Sequence, residues 1–536
     1  MKNNPSLTSI FGHSSLKMPF SWKLISIVSF VVHFSLLSPN TAHAAGVVGN
    51  GSAGSCTDTA LNAALSGGGR VTFNCGNAAK TILIGSEKTI SANTTIDGKN
   101  KINLSGGNAI RIFNVNPGIR FSTKNMTLSN AFTSGQGAAI NASSFQNTVV
   151  TVKHCKFINN ISSQLGEAGG GAIFSAVGTV IVDKSTFIGN NASIGGAIRI
   201  LNSDLTVTAS AFIGNKAIDA LNGNGGAIYV DGAKGDSGQI VIRSSTFKSN
   251  TATAYGGALF NNVYNNNITS ISKSLFSGNF VGGGSNGQGG AIWSNGDPAL
   301  GGHWVINTNN TTLTIVNSTL SGNTASQQGG GIFIARHPRG SVISKSTISG
   351  NTAINSMGGG IVQTDGGFLS ILNSTISDNR GNGEFSMGAG MYIGSNAKAV
   401  ITNATIDNNI ANWQAGGVFG GLNVTLKNTI LANNIAKNGG NPWNIKHNCF
   451  EPMTDGGNNL QFPIPIDMDC TSSILTANPK LRKLANNGGV TKTKALLAGS
   501  AASRNATNCP DTDQRGKARP KPSGTFCDIG AFEAAF

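Results

Sequence analysis

Charge is scarce in this chain. Asp, Glu, Lys and Arg make up 11% of its 536 residues, less than half the share in an ordinary globular protein, so Asn, Ser and Thr must coat most of its surface. Past residue 37 no apolar run is long enough to cross a bilayer as a helix, which excludes a helical membrane anchor there. Helix-length amphipathic stretches are missing between residues 137 and 433, and that excludes a helical solenoid. Glycine, by contrast, is abundant at 73 residues. Such a content reads as disorder unless the apolar residues are periodic, and here they are.

Ten times between Gly137 and Val418 a run of small residues, most often Gly-Gly-Ala, precedes an aliphatic residue, as at Ile140, Ile198, Ile228 and Ile332. Interleaved with these, a large apolar residue is followed three positions later by Asn. The pairs end on Asn160, Asn190, Asn215, Asn250, Asn279, Asn323, Asn351, Asn379, Asn409 and Asn433. Repeats of about 25 to 35 residues are the period of a solenoid. Segments such as Gly178 to Phe187 alternate apolar with polar residues and are rich in Val, Ile, Thr and Ser, the composition of strands. The fold class is therefore all-β: a single-stranded, right-handed parallel β-helix with capped ends. Stacked coils place like residues above one another, so the repeated Asn is expected to form a structural amide ladder.

The chain begins as an exported protein does. Lys17 and Lys23 precede the apolar run Leu24 to Leu37 and the small-x-small site Ala42-His43-Ala44, so a signal peptide is expected at 1–44 and a mature start at Ala45. The 7 cysteines fit an oxidising compartment. Cys56 with Cys75, Cys449 with Cys470 and Cys509 with Cys527 are close sequence neighbours and are expected to staple the two ends. Cys155 is left over, in a column otherwise filled by serines such as Ser185 and Ser210, and is expected to be a buried thiol.

The segment from Cys56 to Gly98, with a short helix at Ala60 to Leu65 and the stretch Thr94-Thr95-Ile96-Asp97-Gly98, resembles the opening cap of right-handed parallel β-helix proteins, including pectin-degrading ones. The Gly-Gly-Ala-Ile and Phe-x-x-Asn repeats resemble those of the chlamydial polymorphic outer membrane proteins. That resemblance implies adhesion at a bacterial surface, although no membrane β-barrel pattern follows the repeats here. Farther on come Gly457-Asn458-Asn459-Leu460, Leu484 to Gly489, Asp513-Gln514-Arg515-Gly516 and Cys527-Asp528-Ile529-Gly530. These are similar to the choice-of-anchor Q domain of bacterial extracellular β-helix proteins, and Ser503-Arg504 departs from that pattern. The expected organisation is a signal peptide at 1–44, a cap and first coils at 45–100, repeats at 101–447 and a carboxy-terminal domain at 448–536.

Few residues suggest chemistry. Asp97 reads as a turn residue more readily than as a catalytic one. Asp513, Arg515, Asp528 and Glu533 read as a hydrogen-bonded cluster sealing the last coil. Asp204, Asp231, Asp297 and Asp365 fall at different offsets from their coil anchors, and His154, His303, His337 and His447 are isolated, so no catalytic residue, metal or cofactor is expected. The net charge of +16 and the ten Lys and Arg between Lys480 and Lys521 leave two readings, a solvated face or attraction to anionic polymers. No nucleic-acid motif accompanies them. Strand alternation turns one further column outward: Phe174, Arg199, Tyr229, Phe260, Trp293, Phe333, Val362, Tyr392 and Phe419. Either loops fold over it as a second core, or it is an exposed stripe that stacks on sugars or a partner. The function read from all this is an exported, non-catalytic bacterial surface or extracellular binding protein in adhesion or in envelope or glycan interaction, with glycans or anionic surface polymers as partners. The alternative is a polysaccharide lyase or hydrolase.

Overall fold

Each repeat forms one coil of a parallel β-helix. The computed structural model describes residues 46–143, 146–283, 286–296, 310–463, 468–520, 524 and 526–535. The signal expected at 1–44, together with His303, Asp297 and Phe536, lies outside them. In one coil, strand Ile198–Leu201 leads to Asp204–Thr208, Ala211–Ile213 and the two-residue strand Lys216–Ala217. Corresponding strands of successive coils pair in parallel and in register along the repeats, as Phe187 with Phe212 and Phe212 with Phe247, with one register shift between Asp97 and Ile102 in the first coils. Among the described residues this gives a sheet of 28 strands, holding two strands from most coils, and sheets of 12 and 11.

The two sequence motifs mark corners. One corner is a left-handed Gly214 (φ 62°) followed by Asn215. Another is the glycine triplet: Gly225 is left-handed (φ 66°), a side chain at Gly226 would strike the Gly257 carbonyl of the next coil, and Ala227 is buried. A third corner, less visible in the sequence, is a single left-handed residue such as Lys184, Ala209 or Ser244. The serine that follows it accepts the backbone N–H of the coil before: Ser185 N–H donates to Ser210 Oγ at 3.0 Å and Ser210 N–H to Ser245 Oγ at 3.2 Å. Cys155 heads that column; it is a free, buried thiol whose N–H donates to Ser185 Oγ.

Inside the coils Phe157, Phe187, Phe212, Phe247 and Phe276 stack with centroids 4.5 to 4.8 Å apart, the spacing of the strands themselves. The helix Asp58–Leu65 buries Leu61 against the first coil; Thr57 caps it by accepting the Ala60 N–H, and Cys56–Cys75 ties it down. Cys449–Cys470 staples the last coils and Cys509–Cys527 the carboxy-terminal segment. No described helix is long and apolar enough to cross a membrane.

The carboxy-terminal segment departs from expectation. Residues 478–520 and 526–534 do not simply seal the last coil; they run back along the outside of the 28-stranded sheet and hydrogen-bond to coils as far away as Lys345 and Thr347. This clasp contains the antiparallel bridges Leu481 to Leu496, Ala485 to Thr493, Ala506 to Cys527 and Thr512 to Ala518, whereas the coil strands pair in parallel. Its bed is a column of outward hydroxyls, Thr319, Thr347, Thr375 and Thr405, brought into line by the strand register.

Candidate functional site

The asparagine column is buried and bonded throughout. Asn190 Nδ2 donates to Asn215 Oδ1 at 2.9 Å and to the Phe157 carbonyl at 3.0 Å, while the Asn190 N–H donates to the same Asn215 Oδ1. The pattern repeats from Asn160 to Asn409 and leaves the amides no capacity to reach a ligand. Asn433 is not part of it. Ile406 pairs with Leu431, so the ladder residue is Asn434, which receives Asn409 and passes the chain on to Asn448. Asn433 is the exposed left-handed corner residue one position earlier (φ 50°), bonded to Asp407.

The aromatic column is a second core and not an open stripe. Phe174, Tyr229, Phe260 and Phe333 are buried, and Trp293, Tyr392 and Phe419 half-buried. Tyr229, Phe260 and Trp293 stack at 4.6 to 4.7 Å, with Ile194 and Tyr255 packed over them, and Trp293 Nε1 donates to Gln288 at 3.2 Å. Arg199 belongs to the same stack: its guanidinium lies over both Phe174 and Tyr229 and pairs with Glu167 at 2.9 Å. Residues of the loops before the glycine triplets supply the cover.

The four polar residues of the carboxy-terminal segment serve the clasp. Arg515 forks onto Asp513 at 2.7 and 2.8 Å, donates to the Glu533 carbonyl at 2.5 Å and lies 3.6 Å from the Phe532 ring centre. Arg519 pairs with Glu533 at 3.0 Å, both side chains buried, and donates to the Asp528 and Gly530 carbonyls. Lys494 is buried between Asp407 and Asp378. Three of the ten basic residues in this tail are thus structural, while Lys480, Arg482 and Lys483 are exposed.

An open cleft of about 530 Å³ lies on the outer face of the first coils, lined by Gly69, Arg70, Asn93, Thr94, Thr95, Asp97, Arg120 and Lys124. Register builds it: Arg70 pairs with Thr95 and Thr95 with Ser122, while Asp97 pairs with Lys124 and Lys124 with Lys153. Three cations and one carboxylate therefore line the same cleft, with Arg70 and Lys124 close to Asp97 and Arg120 farther along the strand beside Asn93. Burial pushes the Asp97 pKa up, but hydrogen bonds from Asn125 and the Lys99 N–H, both 3.0 Å, with Arg70 and Lys124 nearby, outweigh it and hold the group below its ordinary value. Asp97 is a turn-bracing anion and a poor proton donor. Elsewhere Asp204 accepts the Gln239 N–H, and burial raises the pKa of Asp231. Among the described residues no three His, Cys, Asp or Glu converge on a metal-sized site. Motif reading missed Arg70, Arg120 and Lys124, because the first coils lack the motifs that would have aligned them.

No family profile matches the chain. It is 30% identical over 158 residues to a metabotropic glutamate receptor-like protein R of Dictyostelium discoideum, covering 29% of this chain and 9% of that protein. It is also 30% identical over 184 residues to a probable outer membrane protein, pmp12, of Chlamydia pneumoniae, covering 26% of this chain and 35% of that one. The chain thus spans about a third or less of these relatives. Among solved structures, the A-module of the mannuronan C-5 epimerase AlgE6 of Azotobacter vinelandii aligns with 81% of this chain and 98% of its own length. Identity there is 12% and the TM-score 0.27, too low to carry weight.

Proposed function

We propose that this protein is exported, displayed at a bacterial surface, and binds acidic glycans or similar polyanions through the cleft of its first coils without cleaving them. The observation that carries the reading is the gathering of Arg70, Arg120 and Lys124, with a single carboxylate, in one open cleft on the sheet face. A polyanion gains from several cations at once, and a stacked sheet presents them at a fixed spacing close to 4.8 Å per coil. Display at an envelope is supported by the likeness to the chlamydial outer membrane protein. The leading apolar segment and the resemblance of residues 448–533 to a choice-of-anchor Q domain support export and retention there.

Cleavage is the less favoured reading. Hydrolysis of a glycosidic bond takes two carboxyl groups, one of them a proton donor, and the cleft lining holds one carboxylate, already ionised and bonded to Asn125 and Lys99. The test uses the full chain on immobilised heparin and polygalacturonate, eluted with salt. Retention should fall when Arg70, Arg120 and Lys124 are changed together to Gln, and digests of either polymer should yield no new reducing ends or unsaturated products. Retention unchanged in the triple variant, or product formation by the parent chain, would overturn the reading.

A further inference from the structure

Phe385, Trp413 and Trp443 emerge from loops on the last coils, on a side of the β-helix used by neither the cleft nor the clasp. They follow strands Arg380–Gly381, Ile410–Ala411 and Ile435–Ala436, which pair in register, so the loops stack one above another. Unlike the covered column around Tyr229, two of these rings face solvent, Phe385 at 61% and Trp443 at 77% exposed, while Trp413 is half-buried.

Hydrogen bonds between the loops fix the backbone that carries the rings. Ser386 Oγ accepts the Asn412 N–H at 3.0 Å, and the Ser386 carbonyl accepts the Trp413 N–H at 3.1 Å. Asn438 donates its N–H to the Trp413 carbonyl at 2.9 Å and its side-chain amide to the Trp443 carbonyl at 2.5 Å. The Phe385 and Trp413 rings meet edge to face, 5.6 Å apart. The Trp413 ring also lies over Gly439, where even a methyl group would come within 3.2 Å of it. Phe385 is therefore set against a half-buried Trp413 while remaining open to solvent. Asn382 and Asn441 are exposed on the same loops, Asn412 is half-buried with its side-chain amide donated to the Asn382 carbonyl, and the flanking charges, Arg380, Glu384 and Lys437, are of mixed sign.

We propose that this face binds a neutral sugar chain. Leaving large rings in water forfeits the gain from burying them, and a pre-set ring bordered by amides suits a pyranose: its C–H face lies on the aromatic ring while its hydroxyls bond the amides. An aliphatic partner or a lipid surface would make no use of that amide border. The site is independent of the cationic cleft, which takes a charged polymer.

The test titrates the full chain with soluble hexaoses of glucose, mannose and galactose, read by tryptophan fluorescence in about 0.5 M salt to screen the cleft. At least one sugar should give a saturable change. Phe385→Ala should weaken it about tenfold, and because that ring is exposed its removal leaves the fold intact. Read by calorimetry, because the reporter ring is gone in these variants, Trp413→Ala should abolish binding and Trp413→Phe should largely keep it, and the Arg70, Arg120, Lys124 triple variant should bind the sugar as the parent does. No saturable response to any hexaose, undiminished binding by Phe385→Ala, or association with sugar-free phosphatidylcholine vesicles in its place would overturn the proposal.

Discussion

The outer face of the long sheet is put to two uses on two neighbouring strand columns: the cleft lies on the column of Arg70, Thr95 and Lys124, the clasp on the column of Thr319, Thr347, Thr375 and Thr405. Over the first coils it is bare and cationic, with Arg70, Arg120 and Lys124 around an open cleft. Over the last coils it carries the hydroxyls Thr319, Thr347, Thr375 and Thr405 and lies beneath the clasp, where Gln514 bridges Thr347 and Thr375 at 3.0 and 2.7 Å. Beneath the middle and last coils run the same asparagine and serine ladders. In a β-helix the inward residues of each coil fix its path, so the outward residues are free to differ from end to end. Charge in the cleft is available to a ligand; in the clasp, Lys494, Arg515 and Arg519 are consumed by the fold.

The sharpest way to break that contrast is to unseat the clasp. Glu533→Ala removes the carboxylate facing Arg519 while the guanidinium stays buried. Breaking such a pair costs about 3 to 5 kcal/mol. Limited proteolysis should then cut between residues 478 and 534 in the variant before the coils melt, and the denaturation midpoint should fall. An unchanged protease pattern would show that the clasp is held by other contacts.

The ladder tests what the two halves share. Asn215→Ala leaves the Asn190 side-chain amide without its neighbour and the Phe187 carbonyl without its donor; Asn351→Ala does the same beneath the clasp. Each orphaned buried group costs about 1 to 3 kcal/mol. Equal losses in chemical denaturation would show that the ladder acts alike along the rod, and a smaller loss at Asn351 would show that the clasp braces its coils.

The ladder and the coil were legible in the sequence because their residues recur at one period. Asn433 was misassigned because the corner residue before the ladder is usually Gly or Asn itself, and at Asn433-Asn434 two asparagines stand side by side; only the pairing of Ile406 with Leu431 separates them. Alternation put Phe174 to Phe419 on the outward side, but whether loops cover that column depends on residues such as Ile194 and Tyr255, which carry no repeat. The clasp was hidden for a related reason: Thr347 meets Lys492 across 145 residues, and no local pattern records the contact.

Acid should loosen the boundary between the halves. His337 is buried, its Nε2 2.9 Å from Ser294 Oγ, in the turn before the strand that leads to Thr347. Burial drives its pKa down from 6.5 to about 3. The unfolded chain therefore takes up a proton that the folded chain refuses, so this contribution is intact above pH 6.5 and is lost as pH falls from 6.5 towards 3. At about pH 5.5 the loss is about 1.4 kcal/mol. His337→Gln should remove that pH dependence when unfolding free energies at pH 7.5 and 5.5 are compared.

The smallest effect on stability is expected on the bare half, and it separates the two uses of the face most cleanly. Lys124 is half-buried and stands in register between Asp97 and Lys153, so neutralising it removes one attraction and one repulsion across a solvated surface. Exposed pairs of this kind contribute little, and Lys124→Gln should change stability by about 0.5 kcal/mol or less. The same substitution at Lys494, buried between Asp407 and Asp378, leaves carboxylates facing each other without their cation and should cost several times as much. Retention on heparin should respond in the opposite order. It should fall measurably for Lys124→Gln and stay at the parent level for Lys494→Gln wherever that variant is folded. If Lys494→Gln weakened retention as much as Lys124→Gln while remaining folded, the polyanion would be binding across the clasp, and the division of the sheet face into a bare, binding half and a covered, structural half would fail.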